Sequence, residues 1–261
     1  MRWRYLFMFW PLMATAQDVE VDVELFLAVD VSRSMTFEEL ALQRRGYAQA
    51  LSSPEVIGAI QSGLIGQIAV TYVEWAGASA QRVIVPWHLL ASEEDADDIS
   101  ELILATDGSG LRRTSISGAI NYATASFSDN GYFGLRRVID ISGDGPNNQG
   151  DPVTEARDRA IEAGFIINGL PLMTTDMLSE FWGIPDLDVY FETCVIGGPG
   201  AFVVPVLDWE AFEHAVRRKL ILEISAVTAA ARPIPVAAQE AYDCLIGEKM
   251  REQNRTYFVI P

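Results

Sequence analysis

LFLAVDVSRSMT, residues 25–36, passes from an apolar run into Asp30, Ser32 and Ser34, three oxygen-bearing side chains on alternate residues. An apolar run of this length reads as a buried strand, and polar groups at its end need partners once they leave water. A serine here can cap a helix beginning near Phe37. The alternate spacing also sets all three groups on one side of a loop, where together they can hold a ligand.

Outward from this stretch, strand-like runs recur with helical patterns between them, the signature of an α/β domain with a mostly parallel sheet. Strands are expected over Val23–Val29, Ile65–Trp75, Arg82–Trp87, Arg137–Ser142, Phe165–Leu170 and Phe202–Val206, giving a six-stranded doubly wound sheet whose second and third strands form a hairpin. Helices are expected over Phe37–Leu51, stopped by Ser52-Ser53-Pro54, over Glu93–Leu104, and from a cap at Thr114 or Ser115 to about Thr124. Asp151 is read as the cap of a further helix with Pro152 at its first position, and Trp209–Ile224 as a long helix that 226–231 extends. A mixed acidic stretch, 174–188, precedes the sixth run, and a C-terminal extension, 232–261, carries a short helix over 238–250 and an extended end over 257–260.

In an open parallel sheet, ligands collect where strands deliver their carboxyl ends into loops. Asp30, Ser32 and Ser34 lie at that edge, as do Thr114, leading into a helix, and Asp144, following the fourth strand run. Two carboxylates and three hydroxyls form a hard oxygen set suited to a divalent cation, which would also give Asp30 a charge partner. Taken singly, each residue has an ordinary use: Thr114 as a cap, Asp144 as a turn residue.

The formal net charge is −17, which repels phosphate backbones and argues against nucleic acid. Arg2 and Arg4 precede an apolar run, 5–13, and Ala14-Thr15-Ala16 supplies the small residues of a cleavage site, so 1–16 reads as a secretory signal with Gln17 as the mature start. That run is too short to span a bilayer, and no later segment has the length and freedom from charge of a transmembrane helix. A periplasmic or secreted location is therefore expected. The two cysteines, Cys194 and Cys244, form one disulfide in such a compartment or remain two separately buried thiols; they lack the number and spacing of a zinc site.

Taken together, Asp30-Val31-Ser32-Arg33-Ser34, Thr114 and Asp144-Gly145 resemble the metal-ion-dependent adhesion site of the von Willebrand factor A-like family. More narrowly, VEWAG (73–77), RRTSISGAI (112–120), VIDISGDGPNN (138–148) and VIGGPGAFV (195–203) are similar to the DUF1194 family of uncharacterised secreted bacterial proteins. The resemblance implies a domain over 21–231 and a metal site of Asp30, Ser32, Ser34, Thr114 and Asp144. It further implies a divalent cation, Mg2+ first with Ca2+ or Mn2+ as alternatives, and a protein partner whose acidic residue completes the shell. The expected function is a cation-dependent adhesion or assembly module.

The alternative is a metal-assisted hydrolase, for which Glu74 is the best spare base; His88 and His214 read as surface residues. Nucleotide binding is disfavoured because the first strand run leads into Asp-x-Ser-x-Ser rather than a Gly-rich phosphate loop. The Gly197–Gly200 loop either borders the site or simply turns into the sixth strand run.

Overall fold

The computed structural model describes residues 17–108, 110–174, 183–225 and 242–257. The expected leader, the helix extension at 226–231 and most of the acidic stretch 174–188 lie outside these residues. In chain order the elements are β1 (Val19–Asp30), α1 (Phe37–Leu51), α2 (Pro54–Gln61), β2 (Ile68–Trp75), β3 (Gln81–Leu90), α3 (Glu93–Leu104), α4 (Ile116–Ser126) and β4 (Tyr132–Gly143). They continue with α5 (Val153–Glu162), β5 (Ile166–Pro171), α6 (Leu187–Tyr190) running into a π-helical turn at Phe191–Val195, α7 (Phe212–Ile224) and α8 (Ile246–Tyr257).

The strands pair in the order β3-β2-β1-β4-β5, parallel throughout except for the antiparallel β2–β3 hairpin. β1 lies in the centre, and its alternating side chains serve two cores. Val23, Leu25, Leu27 and Val29 pack with α1, α2, α3 and α7 on one face, while Phe26 and Ala28 pack with α4, α5 and the α6 segment on the other. A strand apolar on both faces requires cover on both, and this produces the doubly wound arrangement.

The sheet has five strands rather than six. The sixth run, Phe202–Val206, lies beside β5 in the expected place but makes only two isolated parallel bridges, Gly169 to Val203 and Leu172 to Val206. Hydrogen bonds from Gly169 N to Phe202 O and from Val204 N to Gly169 O start the ladder, and those from Val206 N to Pro171 O and Met173 N to Val206 O end it. The missing rung between them needs a donor at residue 171, where proline has no N–H to give.

Several local boundaries also differ. Ser52-Ser53-Pro54 ends α1 and also begins α2: Ser53 Oγ accepts from Val56 N at 3.3 Å and Pro54 takes the first helical position. Asp151 does not cap α5, whose N-cap is Pro152 without a side-chain bond; the Asp151 carboxylate is drawn instead to Arg159 Nη2 at 2.9 Å. The helix expected over 238–250 begins at Ile246, 238–241 lying outside the described residues, and Tyr257 belongs to that helix. Cys194 and Cys244 are disulfide-bonded, with Cα atoms 5.6 Å apart. No helix among the described residues is long and apolar enough to cross a membrane.

Beneath α7 lies a buried charge cluster. Lys219 Nζ stands 2.7 Å from Asp140 Oδ1 and also bonds Glu223, whose Oε1 accepts from Asn168 Nδ2 at 3.0 Å. Two carboxylates against one ammonium leave an uncompensated charge out of water. Burial pushes the Asp140 carboxyl up to about 7; Lys219 opposes the rise and Glu223 adds to it. Because the folded state holds this proton more tightly than the unfolded chain, the contribution to stability is full below about pH 4 and is lost as pH rises through about 7. Asp140→Asn leaves a neutral Lys219–Glu223 pair. Denaturant unfolding at pH 5 and pH 8 should therefore show a smaller loss of stability on raising pH in the variant than in the wild type; equal losses would contradict this account.

Candidate metal centre

Asp30 closes the central strand and is fully buried. Its Oδ1 accepts from Ser32 N at 2.7 Å, which curls the chain so that the Ser32 and Ser34 hydroxyls lie 2.9 Å apart. From the neighbouring strand end, Asp144 brings Oδ1 to 3.4 Å from Ser32 Oγ. The side chains of Asp30, Ser32, Ser34 and Asp144 thus meet over the junction of β1 and β4.

Thr114 is held at the same edge of the sheet through backbone bonds. Leu111 N donates to Val31 O at 2.8 Å and Ser115 N to Ala76 O at 2.7 Å, tying the loop to the ends of β1 and β2. Asn148 then grips Thr114 at two points, its N donating to Thr114 O at 2.8 Å and its Oδ1 accepting from Thr114 N at 3.0 Å.

The capping roles open to these residues in the sequence are filled by others. Thr36 caps α1 in a reciprocal box with Glu39, and Ser115 caps α4 by accepting from Gly118 N at 3.1 Å. Neither Ser32, Ser34 nor Thr114 is needed at a helix end.

Electrostatically the site is short of positive charge. Asp30 Oδ2 is buried without a hydrogen-bond partner, and Asp30 makes no ion pair among the described residues. Burial, and then the charge of Asp144, hold the Asp30 carboxyl well above the usual carboxylate range, against hydrogen bonds from Ser32 and from the Asp144 backbone. A Cβ at position 143 would come 3.2 Å from Asp30 Oδ2, so glycine there lets the carboxylate sit without shifting by a few tenths of an ångström. An orphaned carboxylate oxygen in a space kept clear by glycine, with a second carboxylate and hydroxyls around it, fits a hard divalent cation. Among the described residues no group of three or more His, Cys, Asp or Glu is arranged for a metal, since only two carboxylates converge here and the remaining candidates are hydroxyls.

The other sequence candidates lie apart from this role. Glu74 is buried at the end of β2 with both oxygens occupied: Oε1 takes Arg44 Nε at 2.6 Å and Oε2 takes Arg82 Nη2. His88 sits opposite Val70 near the start of β2, away from the strand ends, and His214 is exposed on α7. The Gly197–Gly200 loop pairs with Ile167 near the start of β5, far along the strand from Asp144. Asn147 and Asn148, which lock the loops together, stand in the sequence as turn chemistry at the end of the VIDISGDGPNN stretch, and only the fold reveals their task.

Residues 20–228 match a family model described as "Protein of unknown function (DUF1194)". No curated protein matches the chain. Among solved structures, proximal thread matrix protein 1 from the mussel byssus superposes with a TM-score of 0.57 at 14% identity, over 78% of this chain and 49% of that one. A von Willebrand factor type A protein from Catenulispora acidiphila gives 0.56 at 15% identity, over 78% and 43%, and the pilus adhesin SpaC from Lactobacillus rhamnosus GG gives 0.56 at 12%, over 80% and 32%. This chain spans less than half the length of each of these three, and the likeness establishes a von Willebrand factor A-like fold.

The Glu74 cluster makes a prediction of its own. Arg44→Met strips the buried partner from a buried carboxylate and leaves only Arg82, which is half exposed and screened. A stability loss of about 3 kcal/mol is expected by denaturant unfolding; an unchanged midpoint and slope would show that Arg82 alone compensates Glu74.

Proposed function

The chain belongs to the DUF1194 family, and on that footing we propose that it is a divalent-cation-dependent protein-binding module of adhesion or assembly type, working outside the cytoplasm. The observation that carries this reading is the Asp30 carboxylate, buried beside Asp144 with one oxygen unpartnered. Asp30 and Asp144 would supply the charge that holds the ion, and Ser32, Ser34 and Thr114 neutral oxygens. Magnesium suits this set first, because two carboxylates and a few hydroxyls leave positions for water; calcium and manganese are the alternatives. When bound, the cation supplies a coordination position that a carboxylate from a partner protein can enter.

The chain's own residues favour such a partner. Arg33, Arg112 and Arg113 are all exposed on the two loops that Leu111 N and Val31 O stitch together, so a chain of net charge −17 carries a basic rim around this cluster. That rim draws in an acidic segment and disfavours basic ones. Arg113 holds φ at 80°, a left-handed conformation uncommon outside glycine and frequent where a loop must present a side chain. The Cys194–Cys244 bond supports an oxidising, extracytoplasmic compartment. One superposed structure is named a thread matrix protein of the mussel byssus and another a pilus adhesin, names that agree with an adhesion or assembly role.

Titration calorimetry with Mg2+, Mn2+ and Ca2+ tests the reading. Wild type is expected to bind at least one of them; Asp30→Ala should lose about 100-fold or more in affinity, and Ser32→Ala, whose place water can take, only about tenfold, roughly 1.4 kcal/mol. Wild type that binds none of the three, or Asp30→Ala that binds as well as wild type, would reject the site.

A further inference from the structure

Among the described residues, the C-terminal helix packs on the loop that follows Asp144, with hydrogen bonds to the Asn147-Asn148 dipeptide. Asn147 is fully buried, and its side-chain amide and its backbone N–H are all engaged. Its Oδ1 accepts from Ser117 N at 3.1 Å and Ser117 Oγ at 3.2 Å, its N donates to Tyr190 OH at 3.1 Å, and its Nδ2 donates to Asp151 O at 3.1 Å and to Glu248 Oε1 at 2.6 Å. Asn148 holds Thr114 by the two bonds described above, while its own carbonyl accepts from Arg251 Nη1 at 2.9 Å. The dipeptide thus fixes the loop of Thr114 against the loop of Asp144, and α8 grips it from outside through Glu248 and Arg251.

The grip is close. A Cβ on Gly247 would fall 2.1 Å from Asn147 O, so the helix backbone lies directly against the loop and no larger residue fits without displacing one of them. The start of α8 is anchored by the Cys194–Cys244 bond and by Tyr242, whose ring centroid lies 6.2 Å from that of Tyr190 and whose hydroxyl donates to Asp186 Oδ2 at 3.0 Å. Tyr190 in turn receives Asn147 N, four residues before Cys194. The path from Asn147 through Tyr190, Cys194, Cys244 and Glu248 back to Asn147 is a closed ring of covalent and hydrogen bonds, in which the disulfide joins the two outer segments.

Resting on the cation-binding reading above, we infer that α8 and its disulfide are positioning elements of that site: they hold Asn147 and Asn148, and through them set Thr114 relative to Asp144. Removing the grip frees the dipeptide to rotate, and the ligand set then has to be ordered again at each binding event. Glu248 and Arg251 act through Asn147 and Asn148, not on the ion.

The test uses the full chain in three variants: Glu248→Ala with Arg251→Ala, Gly247→Leu, and Cys194→Ala with Cys244→Ala. Amide hydrogen exchange at Thr114, Ser117 and Asn148 and Mn2+ affinity are both read. The expected result is exchange at these amides faster by about tenfold or more, protection retained in β1 and α7, and Mn2+ affinity lower by about tenfold in each variant that folds. The Glu248/Arg251 variant alters side chains only on the outer helix, so it tests the idea even if the other two fail to fold. Unchanged exchange at the three amides with unchanged Mn2+ affinity overturns the inference. If exchange accelerates in the variants but wild type itself binds no Mn2+, Mg2+ or Ca2+, the coupling of α8 to the loops stands and the cation reading alone falls.

Discussion

A carboxylate that ends the central strand, wholly out of water and with one oxygen free of any hydrogen bond, is costly to keep charged unless a proton or a cation neutralises it. Asp30 cannot move away, because the strand behind it is locked on both sides by β2 and β4 and covered on both faces. Asp144 arrives at the same point from the next strand, where its carboxylate adds repulsion that its own backbone N–H only partly offsets. The loops around this pair are correspondingly well fixed. Glycine at 143 keeps the space open, Thr36 and Ser115 take over the helix caps, and Asn148 holds Thr114 by its main chain. The fold concentrates its order at the place where its charge is least satisfied, an arrangement that natural chains keep at functional sites at some cost in stability.

Two buried charge clusters elsewhere show the contrast. Glu74 has an arginine on each oxygen, and Lys219 is shared between Asp140 and Glu223. The first is answered by side chains of the chain itself, and the second by Lys219 together with a proton that burial holds on Asp140, so both are read as parts of the scaffold. Asp30, at a strand end where loops converge, is where the proposed ion would supply the missing charge.

How far these features are legible in the sequence depends on the range of the interactions behind them. β1, α1 and α3 rest on local periodicity and capping chemistry, and they lie where the pattern puts them. Asp30, Ser32 and Ser34 are legible because their spacing is short and their strand is unmistakable, and Asp144 because it follows another strand at the same edge. The sixth strand run fails as a ladder for a reason carried by a different segment, the missing N–H of Pro171, which no inspection of residues 202–206 reveals. Asp151 looks like a cap until Arg159 claims its carboxylate. The contacts of α8 with Asn147 and Asn148 join residues more than a hundred positions apart, and a pair of asparagines in a turn gives no sign of them.

Crystals grown with Mn2+ and measured for its anomalous signal would locate the ion directly. The account expects one strong peak at the carboxyl ends of β1 and β4, within coordination distance of Asp30 and Asp144, with the Ser32, Ser34 and Thr114 hydroxyls turned toward it. No peak there in well-ordered crystals, or a peak held by other residues while Asp30 keeps its oxygen unpartnered, would contradict it.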